Sequence, residues 1–413
     1  MRILMMAPAC YPVNGAEAIV NMKLLQAFSQ AEDVTVDLIS RNNAYTYPSD
    51  EIEKYGVKIN ELHLVEYVPH MNIATFWRLI LSQLYFRISY FDSVWAVEAL
   101  RVVRNLVKKN KYDFVLTKNA PSFLLGAYLK RKGLKWVASW NDPFPSSYYP
   151  HPYGKGKDCK GTRLERRMIK QMRLADCHVF PTFLLQEHMR YYLQVPQDKC
   201  IVIPHVVLSN KDQASGRPIE KKHDILKIIH SGNLYGQRNP SSFFHAIENV
   251  LESDPNAKIS VTILGKIDNR FLPLLDDLPR LKSSLTYLAP VEYQQSLALL
   301  DDYDLACVIE APCKKGEAVF LPTKVTDFMQ RGIPIMAISP QEGVLHGLYK
   351  NGNIGYYGDV SDVESIETAL KAACKDFDGS GVKENVIDDS FFSANVVESY
   401  RSIAESLNNL KKI

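Results

Sequence analysis

The sequence has few of the features that mark secreted, membrane-spanning or zinc-dependent proteins. Its 413 residues contain seven cysteines, an odd number, and no Cys-x-x-Cys pair. Because histidines at zinc-site spacing are also lacking, we expect neither a disulfide framework nor a zinc site. No segment reaches the roughly 18 apolar residues of a membrane span, and the apolar run in the initial MRILMMAPACYP is too short for a signal peptide. We therefore expect a cytoplasmic protein.

Neither sign of charge is in large excess, but the charges are unevenly distributed. The formal net charge is +3, with 46% hydrophobic and 23% charged residues, which is typical of a globular chain. Residues 1–200 carry 27 Lys and Arg against 18 Asp and Glu, whereas the remainder carries 22 against 28. This asymmetry suggests that the two halves bind different partners.

Strand-like and helical segments alternate along the chain. RILMMAP, VTVDLIS and INELHLVEYV are typical of strands in the first half, as are ILKIIHSG and KISVTILG in the second, and a long helical region covers residues 73–109. The alternation predicts an α/β protein with parallel sheets covered on both faces. We predict two doubly wound, Rossmann-like domains that face a cleft, with ligands at the carboxyl ends of the strands.

The polar stretch VLSNKDQASGRPIEKKHD separates the two predicted domains. We place the N-terminal domain at residues 1–206, a linker at 207–224 and the C-terminal domain at 225–390. The last helix, residues 391–413, is predicted to pack back on the N-terminal domain.

A glycine-rich loop, HSGNLYGQRNPSSF, follows the first predicted strand of the second half. Gly232 and Gly236 allow backbone N–H groups, including that of Asn233, to approach a ligand, and the following helix N-terminus favours phosphate oxygens. Arg238 can form a bidentate pair with a phosphate. Alone, the pattern is also compatible with an ordinary tight turn.

A second segment, FLPTKVTDFMQRGIPIMAIS, places a cation and an anion three residues apart at the start of a helix. Lys324 and Asp327 therefore share one helix face. Lys324 is suited to phosphate and Asp327 to a pair of ribose hydroxyl groups. The alternative is a surface ion pair, which contributes less than about 1 kcal/mol and needs no function.

Together, these segments resemble the C-terminal domain of GT-B glycosyltransferases, most closely family 4. The similar segments are SGNLYGQRNP, VTILGK, LTYLAPVEYQQSLALLDDYDLACV, LPTKVTDFMQRGIPIMA and NIGYYGDVSDVESIETAL. The fourth resembles the Pro-x-Lys-x-x-Glu signature of one subgroup, of the type that builds bacterial surface polysaccharides, with Asp in place of Glu. In the first half, PACYPVNGAEAIVNMKLLQAF and CHVFPTFLLQEHMRYYLQVPQDKCIVIPHVV resemble the first loop and the last unit of the N-terminal domain.

The resemblance implies a role for each matching residue. Arg238 and Lys324 would act in catalysis by neutralising the donor diphosphate as the sugar leaves, without a metal or a cofactor. Asp327 would bind the ribose, and Gly15 would lie under the phosphates. Val291 would lie near the base. The N-terminal domain would bind the acceptor and the C-terminal domain the nucleotide-sugar donor.

Besides Asp327, which stands in place of Glu, two further positions depart from the family pattern. The carboxylate that faces the donor sugar is expected at position 319, where the chain has Val319. We therefore take the nearby Glu317 as a donor-binding candidate. A basic residue often follows the arginine by five positions, but here Phe243 stands in its place. Diphosphate binding would then depend mainly on Arg238, Lys324 and backbone N–H groups.

A third segment, SWNDPFPSSYYP, follows a predicted strand of the N-terminal half. It resembles an Asp-x-Trp-Pro motif of some polysaccharide-building members. Asp142 would then be a catalytic residue that orients the acceptor hydroxyl group or accepts its proton. The alternative is that Asn141 and Asp142 cap a helix or shape a proline-rich turn. We expect His178 and His205 to be structural.

Two stretches of the basic half combine features that suit a membrane surface. Residues 74–95 are rich in aromatics, and residues 155–173 are rich in basic side chains. Such helices favour anionic lipid, although a core helix and a solvated basic face explain the pattern equally well. We expect peripheral contact with the inner membrane face, where family members often use lipid-diphosphate-linked acceptors. No nucleic-acid partner is expected, because no stacking platform accompanies the basic residues.

The sequence thus predicts a hexosyltransferase-like glycosyltransferase that moves a sugar from a nucleotide-diphosphate sugar to a hydroxyl group of a glycan or lipid-linked acceptor. The resemblance implies retention of anomeric configuration and a place in bacterial polysaccharide biosynthesis. Two alternatives stay open. A nucleotide-sugar 2-epimerase of the same architecture would need acid/base residues that the sequence does not identify. A non-catalytic sugar-nucleotide-binding or scaffold protein is suggested by the missing carboxylate at position 319.

Overall fold

The fold is that of a computed structural model, which describes residues 1–11, 13, 15–42, 48–66, 70–208, 224–379 and 381–409. The chain divides into two compact units. The first contains Met1–Tyr149, Gly154–Leu208 and Ser390–Ile413, and the second contains Pro150–Tyr153 and Ser209–Asp389. Most of the predicted linker lies outside the described residues. The short segment Pro150–Tyr153 groups with the second unit, although its sequence position is within the first half.

The first unit is built on a parallel sheet, to which seven of the described strands belong. The strands are β1 (Arg2–Met6), β2 (Thr35–Asn42), β3 (Glu61–Glu66), β4 (Phe114–Lys118), β5 (Trp136–Ser139), β6 (Cys177–Phe180) and β7 (Cys200–Val202). Their order in the sheet is β3-β2-β1-β4-β5-β6-β7. The central strands are almost entirely buried, as expected for strands covered by helices on both faces.

The helices of the first unit follow residues that in three cases accept a backbone N–H group of the first turn. They are α1 (Ala16–Gln30), α2 (Pro48–Tyr55), α3 (Ile73–Phe86), α4 (Ser93–Lys109), α5 (Phe123–Lys130), α6 (Arg163–Met172) and α7 (Phe183–Leu193). The side chains of Asn72, Thr162 and Thr182 cap α3, α6 and α7. The helical region predicted over 73–109 is present as two helices, because α3 ends at Arg87 in the left-handed conformation and α4 starts afresh.

The second unit repeats this architecture with six described strands. They are β8 (Leu226–Ser231), β9 (Ile259–Leu264), β10 (Leu285–Leu288), β11 (Leu305–Ile309), β12 (Ile335–Ser339) and β13 (Tyr356–Asp359), in the order β10-β9-β8-β11-β12-β13. The helices are α8 (Ser241–Ser253), α9 (Pro279–Ser284), α10 (Tyr293–Leu299), α11 (Thr323–Arg331), α12 (Val344–Lys350) and α13 (Val363–Asp378). The prediction of two doubly wound α/β domains is confirmed.

The last helix, α14 (Ser393–Asn409), groups with the first unit. Its Tyr400 is fully buried. The Tyr400 ring meets Phe28 of α1 edge-on at 5.2 Å and stacks on Phe114 of β4 at 6.4 Å. Burial of one such aromatic side chain contributes roughly 1.5–3 kcal/mol. The core of the first unit therefore includes a segment that comes nearly 400 residues after its first strand, and residues 410–413 lie outside the described chain.

Each sheet has one point at which the strand order reverses. In the first unit this switch point lies between β1 and β4, and in the second it lies between β8 and β11. Two crevices are therefore expected just past the carboxyl ends of these strand pairs, where open α/β sheets bind their ligands.

Candidate active site

The loop after β8 and the start of α11 meet at the switch point of the second unit. Gly232 follows β8 directly and has a φ of +134°, a conformation that favours glycine. A Cβ atom on this residue would lie 2.5 Å from Lys324 Nζ. The Lys324 ammonium group therefore uses the space that any side chain at 232 would need. Two segments more than 90 residues apart in the sequence form one site.

Arg238 belongs to the same cluster. Its guanidinium group donates a hydrogen bond to the Tyr153 side chain and lies 5.7 Å from the centre of the Tyr235 ring. Burial alone would lower the pKa of Arg238, but the nearby tyrosines raise it, so the group stays charged. Its Nε atom is buried and has no hydrogen-bond partner in the described part of the chain. A charged donor is thus left available at the site.

The two cations affect each other. Burial, followed by the nearby Arg238 charge, lowers the pKa of Lys324 to about 7. Among the described residues, Lys324 Nζ donates no hydrogen bond to another group. Cations held this close favour an anionic ligand, since an anion would stabilise both charged forms.

Glu310 completes this cluster and was not among the predicted residues. It follows β11 directly, is buried, and its Oε2 atom has no hydrogen-bond partner among the residues described. Burial raises its pKa to about 7, although Arg238 and Lys324 oppose the rise. In the sequence, the feature that could have identified Glu310 is its position directly after the strand segment LACVI. That position indicates a site residue only once β11 is known to border the switch point.

Asp327 lies one turn further along α11. Its Oδ1 atom accepts a hydrogen bond from Tyr293 Oη at 2.6 Å. Tyr293 opens α10 and follows, by two residues, the exposed Val291. The contact joins the loop predicted to lie near the base to the residue predicted to bind the ribose. Because Asp327 is buried, it is not the solvent-exposed partner that a simple surface ion pair would require.

Three other positions of the second unit, Asn233, Val319 and Phe243, have side chains that serve the fold. Asn233 Oδ1 accepts a hydrogen bond from the backbone N–H of Lys266 at 2.9 Å and so closes the glycine loop. Val319 and Phe243 are both buried, and Phe243 is part of the hydrophobic core. Val319 and Phe243, which replace a carboxylate and a basic residue of the family pattern, therefore offer no side chain to a ligand.

Glu317, unlike Val319, provides a carboxylate that could contact a ligand. It is partly buried, and its Oε2 atom has no hydrogen-bond partner in the ranges described. Burial, followed by the charges of Glu310 and Glu317, raises the pKa of Cys313 to about 12. Two carboxylates, Glu310 and Glu317, therefore lie in the loop between β11 and α11.

A second cluster lies at the switch point of the first unit. Lys118 ends β4 and is buried. Its Nζ atom donates hydrogen bonds to Ser139 Oγ at 2.8 Å and to Asn141 Oδ1 at 3.3 Å. Burial lowers the pKa of Lys118 to about 8, while the charge of Glu17 opposes the change. The Asn141 Nδ2 atom is buried without a hydrogen-bond partner among the described residues.

Glu17, in the first turn of α1, also belongs to this cluster, and the sequence analysis singled out neither Glu17 nor Lys118. Burial, followed by the Asp142 charge, raises its pKa to about 7, and its buried Oε1 atom has no hydrogen-bond partner in the described ranges. Its carboxylate accepts a hydrogen bond from Asn119. Asn119 has a φ of +54° and also accepts a hydrogen bond from the backbone N–H of Asn141 at 2.8 Å. Such strained residues are concentrated at functional sites.

Asp142 lies near Glu17 and Tyr149. Burial raises the pKa of Tyr149, and the charges of Asp142 and Glu17 raise it further, so the phenol stays protonated. The nearest helical turn, Ser146–Tyr148, has Pro145 at its N-cap, so Asp142 does not cap it. The first-unit cluster thus combines two carboxylates, a phenol and a hydrogen-bonded lysine.

The remaining predicted residues of the first unit, Gly15, His178 and His205, are not part of this cluster of charged side chains. Gly15 is the N-cap of α1 with an extended φ of −166°, and a Cβ atom on it would meet nothing within 4 Å. His178 is fully buried, and its Nδ1 atom accepts a hydrogen bond from Trp140 Nε1 at 3.2 Å. Burial lowers the pKa of His178 to about 3. His205 lines a cavity of about 20 Å³, the size of one water molecule.

Neither a metal cluster nor a membrane-spanning helix is found in the described part of the chain. No group of three or more His, Cys, Asp or Glu side chains there could hold a metal ion. No helix there is long and apolar enough to cross a bilayer.

Comparison with known proteins gives one family match and many structural matches. The model of Glycosyltransferase Family 4 matches residues 24–207, and no curated protein sequence matches the chain. A glycosyltransferase from Rickettsia africae ESF-5 has a similar structure, with 13% identity, a TM-score of 0.62 and 98% of each chain covered. A lipopolysaccharide outer core galactosyltransferase has 12% identity and a TM-score of 0.61, with 98% of this chain and 99% of that chain covered.

A third similar structure is a UDP-GlcNAc 2-epimerase from Neisseria meningitidis bound to UDP-GlcNAc, with 12% identity and a TM-score of 0.54 over 97% of this chain and 99% of that one. At these identities, the structures establish the fold and not the reaction. The chain has the GT-B fold of two Rossmann-like domains, and its family 4 match over residues 24–207 supports a glycosyltransferase.

Proposed function

We propose that this protein transfers a sugar from a nucleotide-diphosphate sugar to a hydroxyl group of a glycan or lipid-diphosphate-linked acceptor. The observation that carries the proposal is the meeting of Lys324 and Arg238 over the Gly232 loop at the switch point of the second unit. A diphosphate is the anion that such a pair of cations beside a glycine loop is suited to bind. The UDP-sugar held by an epimerase of the same fold supports this choice of ligand.

In the proposed reaction, the second unit binds the leaving group. The bond from the anomeric carbon to the diphosphate breaks, and negative charge grows on the departing phosphate oxygens. Lys324 and Arg238 would stabilise this charge from fixed positions, without a metal ion. Asp327, held by Tyr293, would accept hydrogen bonds from the ribose. Glu317 is the proposed contact to the donor sugar, and Val291 stays assigned to the base.

The first unit is proposed to bind the acceptor. Asp142 and Glu17 would accept hydrogen bonds from acceptor hydroxyl groups, and one of them would take up the proton of the hydroxyl group that attacks. A carboxylate with a pKa near 7 is suited to that exchange at neutral pH. Gly15 remains the predicted loop position under the donor phosphates.

The finer features of the activity are also part of the proposal. We infer transfer of a hexose with retention of configuration, by a Pro-x-Lys-x-x-Asp member of the family that acts in bacterial surface-polysaccharide assembly. The enzyme would work in the cytoplasm, at the inner face of the membrane that carries its acceptor. These features follow from the sequence resemblance and from the charge of the first half.

A panel of UDP-, GDP-, ADP- and dTDP-sugars tests the proposal. One nucleotide-diphosphate sugar should raise the melting temperature and should be slowly hydrolysed in the absence of an acceptor. Lys324→Ala should abolish both effects with the fold intact, whereas Lys314→Ala, an exposed lysine ten residues earlier, should not.

Three outcomes would contradict the proposal. Formation of an epimer of the donor sugar without acceptor would indicate the 2-epimerase alternative. Binding without hydrolysis or transfer to any glycan or lipid acceptor would indicate a non-catalytic sugar-nucleotide-binding protein. Transfer that persists unchanged in both Lys324→Ala and Arg238→Ala would show that the site is wrongly assigned.

A further inference from the structure

Helix α3 exposes its apolar face instead of packing it against the first unit. Large apolar side chains recur along it at spacings of three and four residues, each between 37% and 80% exposed: Ile73, Phe76, Trp77, Ile80, Leu81 and Leu84. On a surface helix of a globular protein, a stripe with this spacing faces the core. Here the stripe faces solvent, which makes it a contiguous exposed apolar patch that calls for a partner.

The opposite face of α3 is small and polar, and it is the face that packs. Thr75 and Ser82 are fully buried. Ser82 Oγ donates a hydrogen bond to the backbone oxygen of Ile88 at 2.7 Å and lies 2.8 Å from Ser93 Oγ. Phe86 is the one large apolar residue of α3 that is buried in this orientation. Rotating the helix to bury its apolar stripe would break these bonds, so the orientation is built in.

Three guanidinium groups gather at the C-terminal end of the helix. Arg87 ends α3, and its backbone oxygen accepts a hydrogen bond from the Arg167 side chain of α6. Burial, followed by the Arg87 charge, lowers the pKa of Arg131, as expected for cations that lie close together. Within the described ranges, none of the three forms an ion pair with a carboxylate. At the C-terminal end of α3, the apolar stripe is therefore followed by three positive charges that no carboxylate of the described residues neutralises.

We propose that α3 docks the protein on the surface of an anionic membrane. The helix would lie in the plane of the interface, with its apolar stripe among the upper acyl chains and Arg87, Arg131 and Arg167 over anionic headgroups. Its 14 residues span about 21 Å at 1.5 Å per residue, which suits a helix lying on the bilayer and is too short to cross it. Trp77 provides the aromatic side chain that interfaces favour.

Charge is what favours lipid over a second copy of the chain. A two-fold interface uses the same patch on both partners, so it would bring two arginine clusters towards each other. An anionic bilayer would neutralise them instead. This inference extends the proposed location at the membrane, but it does not depend on the proposed reaction.

Fluorescence offers a direct test on the full-length protein. Of the four tryptophans, Trp95, Trp136 and Trp140 are at most 1% exposed, whereas Trp77 is 60% exposed. A blue shift of the emission on adding vesicles would therefore report on Trp77. We expect the shift, and co-flotation of the protein, with phosphatidylcholine vesicles that contain phosphatidylglycerol, and much less of both with phosphatidylcholine alone or at high salt.

Substitutions identify the surface that binds. The double variant Ile73→Ser/Leu84→Ser should weaken partitioning by about a hundredfold, because each large apolar side chain contributes on the order of tenfold. Arg87→Asn, which tolerates the left-handed conformation, and Arg131→Gln should each weaken it about fivefold. The matched control is Phe183→Ser, which removes an equally exposed aromatic side chain of the same unit and should change nothing.

The inference is overturned if the protein does not bind anionic vesicles, or if the double variant binds them as well as the parent. It is also overturned if the parent is a dimer that the double variant dissociates, because a second copy would then occupy the stripe. The melting temperature of the same variants, with and without the nucleotide-diphosphate sugar that stabilises the parent, separates failure of this inference from failure of the proposed function. If the double variant loses vesicle binding but still binds the nucleotide-diphosphate sugar, the result supports docking through α3 and leaves the proposed reaction unaffected.

Discussion

Both units place a lysine and a carboxylate with shifted pKa values at the switch point of a parallel sheet, but they surround them differently. In the first unit, Lys118 donates two hydrogen bonds within the cluster, and two carboxylates, Glu17 and Asp142, lie near each other. In the second, Lys324 stands beside Arg238 with Glu310 as counter-charge. One cluster has an excess of acid and the other an excess of base.

This difference indicates which ligand each unit is suited to bind. A diphosphate needs charged donors that are not already committed, and the second cluster has them in Lys324 and Arg238. A sugar hydroxyl group needs acceptors, which the carboxylates of the first cluster provide. Under the proposed function, the same topology would bind an anion in one unit and a neutral, hydroxyl-rich ligand in the other. The following changes would break or sharpen this contrast.

The largest expected effect is that of Lys324→Ala. Removing one fixed charge that acts on a developing anion typically costs about 10²–10³-fold in kcat. We expect that loss in sugar transfer, together with loss of donor binding. The melting temperature should stay the same or rise, since a buried cation beside another cation is removed. Lys314→Ala is the control, and equal losses in both variants would contradict the assignment.

Glu17→Gln should have the next largest effect, and only on the acceptor side. We expect transfer to slow by about a hundredfold, as for loss of a group that exchanges a proton with the substrate. Donor binding should not change, because the side chains assigned to the donor, Lys324, Arg238 and Asp327, belong to the other unit. The pH profile of transfer should lose its ionisation near 7. Glu32→Gln, an exposed carboxylate just after α1, should behave like the parent.

A purely structural role for Glu17 would give a different result. The variant would then show a lower melting temperature and an unchanged pH profile of transfer. Asp142→Asn offers an independent check, since Asp142 is the second-largest cause of the raised Glu17 pKa. Removing that charge should lower the Glu17 pKa and shift the corresponding limb of the profile to lower pH.

Donor affinity should depend on pH in a defined direction. Below about pH 7 Lys324 is charged and Glu310 is neutral, whereas above it Lys324 loses its charge and Glu310 becomes an anion. Both changes make the cluster less positive, so affinity for a nucleotide-diphosphate sugar should fall as the pH rises through 7, by up to about tenfold per unit for each group. Titration calorimetry at several pH values measures this dependence.

Glu310→Gln sharpens the pH experiment. It should tighten donor binding at pH values above 7 and make the dependence on pH shallower, because only Lys324 still titrates. Affinity that rises with pH in the parent protein, or a dependence unchanged in the variant, would argue against a diphosphate at this cluster.

Tyr293→Phe should have the smallest effect. It removes the hydrogen bond that Asp327 accepts. Such a bond contributes about 1 kcal/mol, so donor affinity should fall by about fivefold. The loss should be similar for ribonucleotide donors that differ in the sugar, since the contact is assigned to the ribose side. No loss for any of them would remove Asp327 and the Val291 loop from the donor site.

The fold was accessible from the sequence because its signals are local. Alternating strands and helices predict parallel sheets, and Gly232 and Lys324 stand out through residue type and position at the ends of elements. The resemblance to family 4 was clearest in the second half, whereas the family model matches residues 24–207. The looser resemblance in the first half was therefore also informative.

The missed features depend on burial, which a single sequence does not encode. Glu17 and Glu310 are ordinary acids in the sequence and become notable only through desolvation and near neighbours. Val319 stands where a carboxylate was expected, but the position is buried. The apolar stripe of α3 is visible as a periodic pattern, yet only the hydrogen bonds of Ser82 show which face packs against the unit.

The most direct test compares donor binding in three proteins by calorimetry: the parent, Lys324→Ala and Glu17→Gln. Each is titrated with the nucleotide-diphosphate sugar that stabilises the parent most in the thermal screen. We predict that Lys324→Ala loses binding and that Glu17→Gln retains the affinity of the parent. Binding that survives Lys324→Ala, or that is lost in Glu17→Gln with an unchanged melting temperature, would contradict the division of donor and acceptor between the two units.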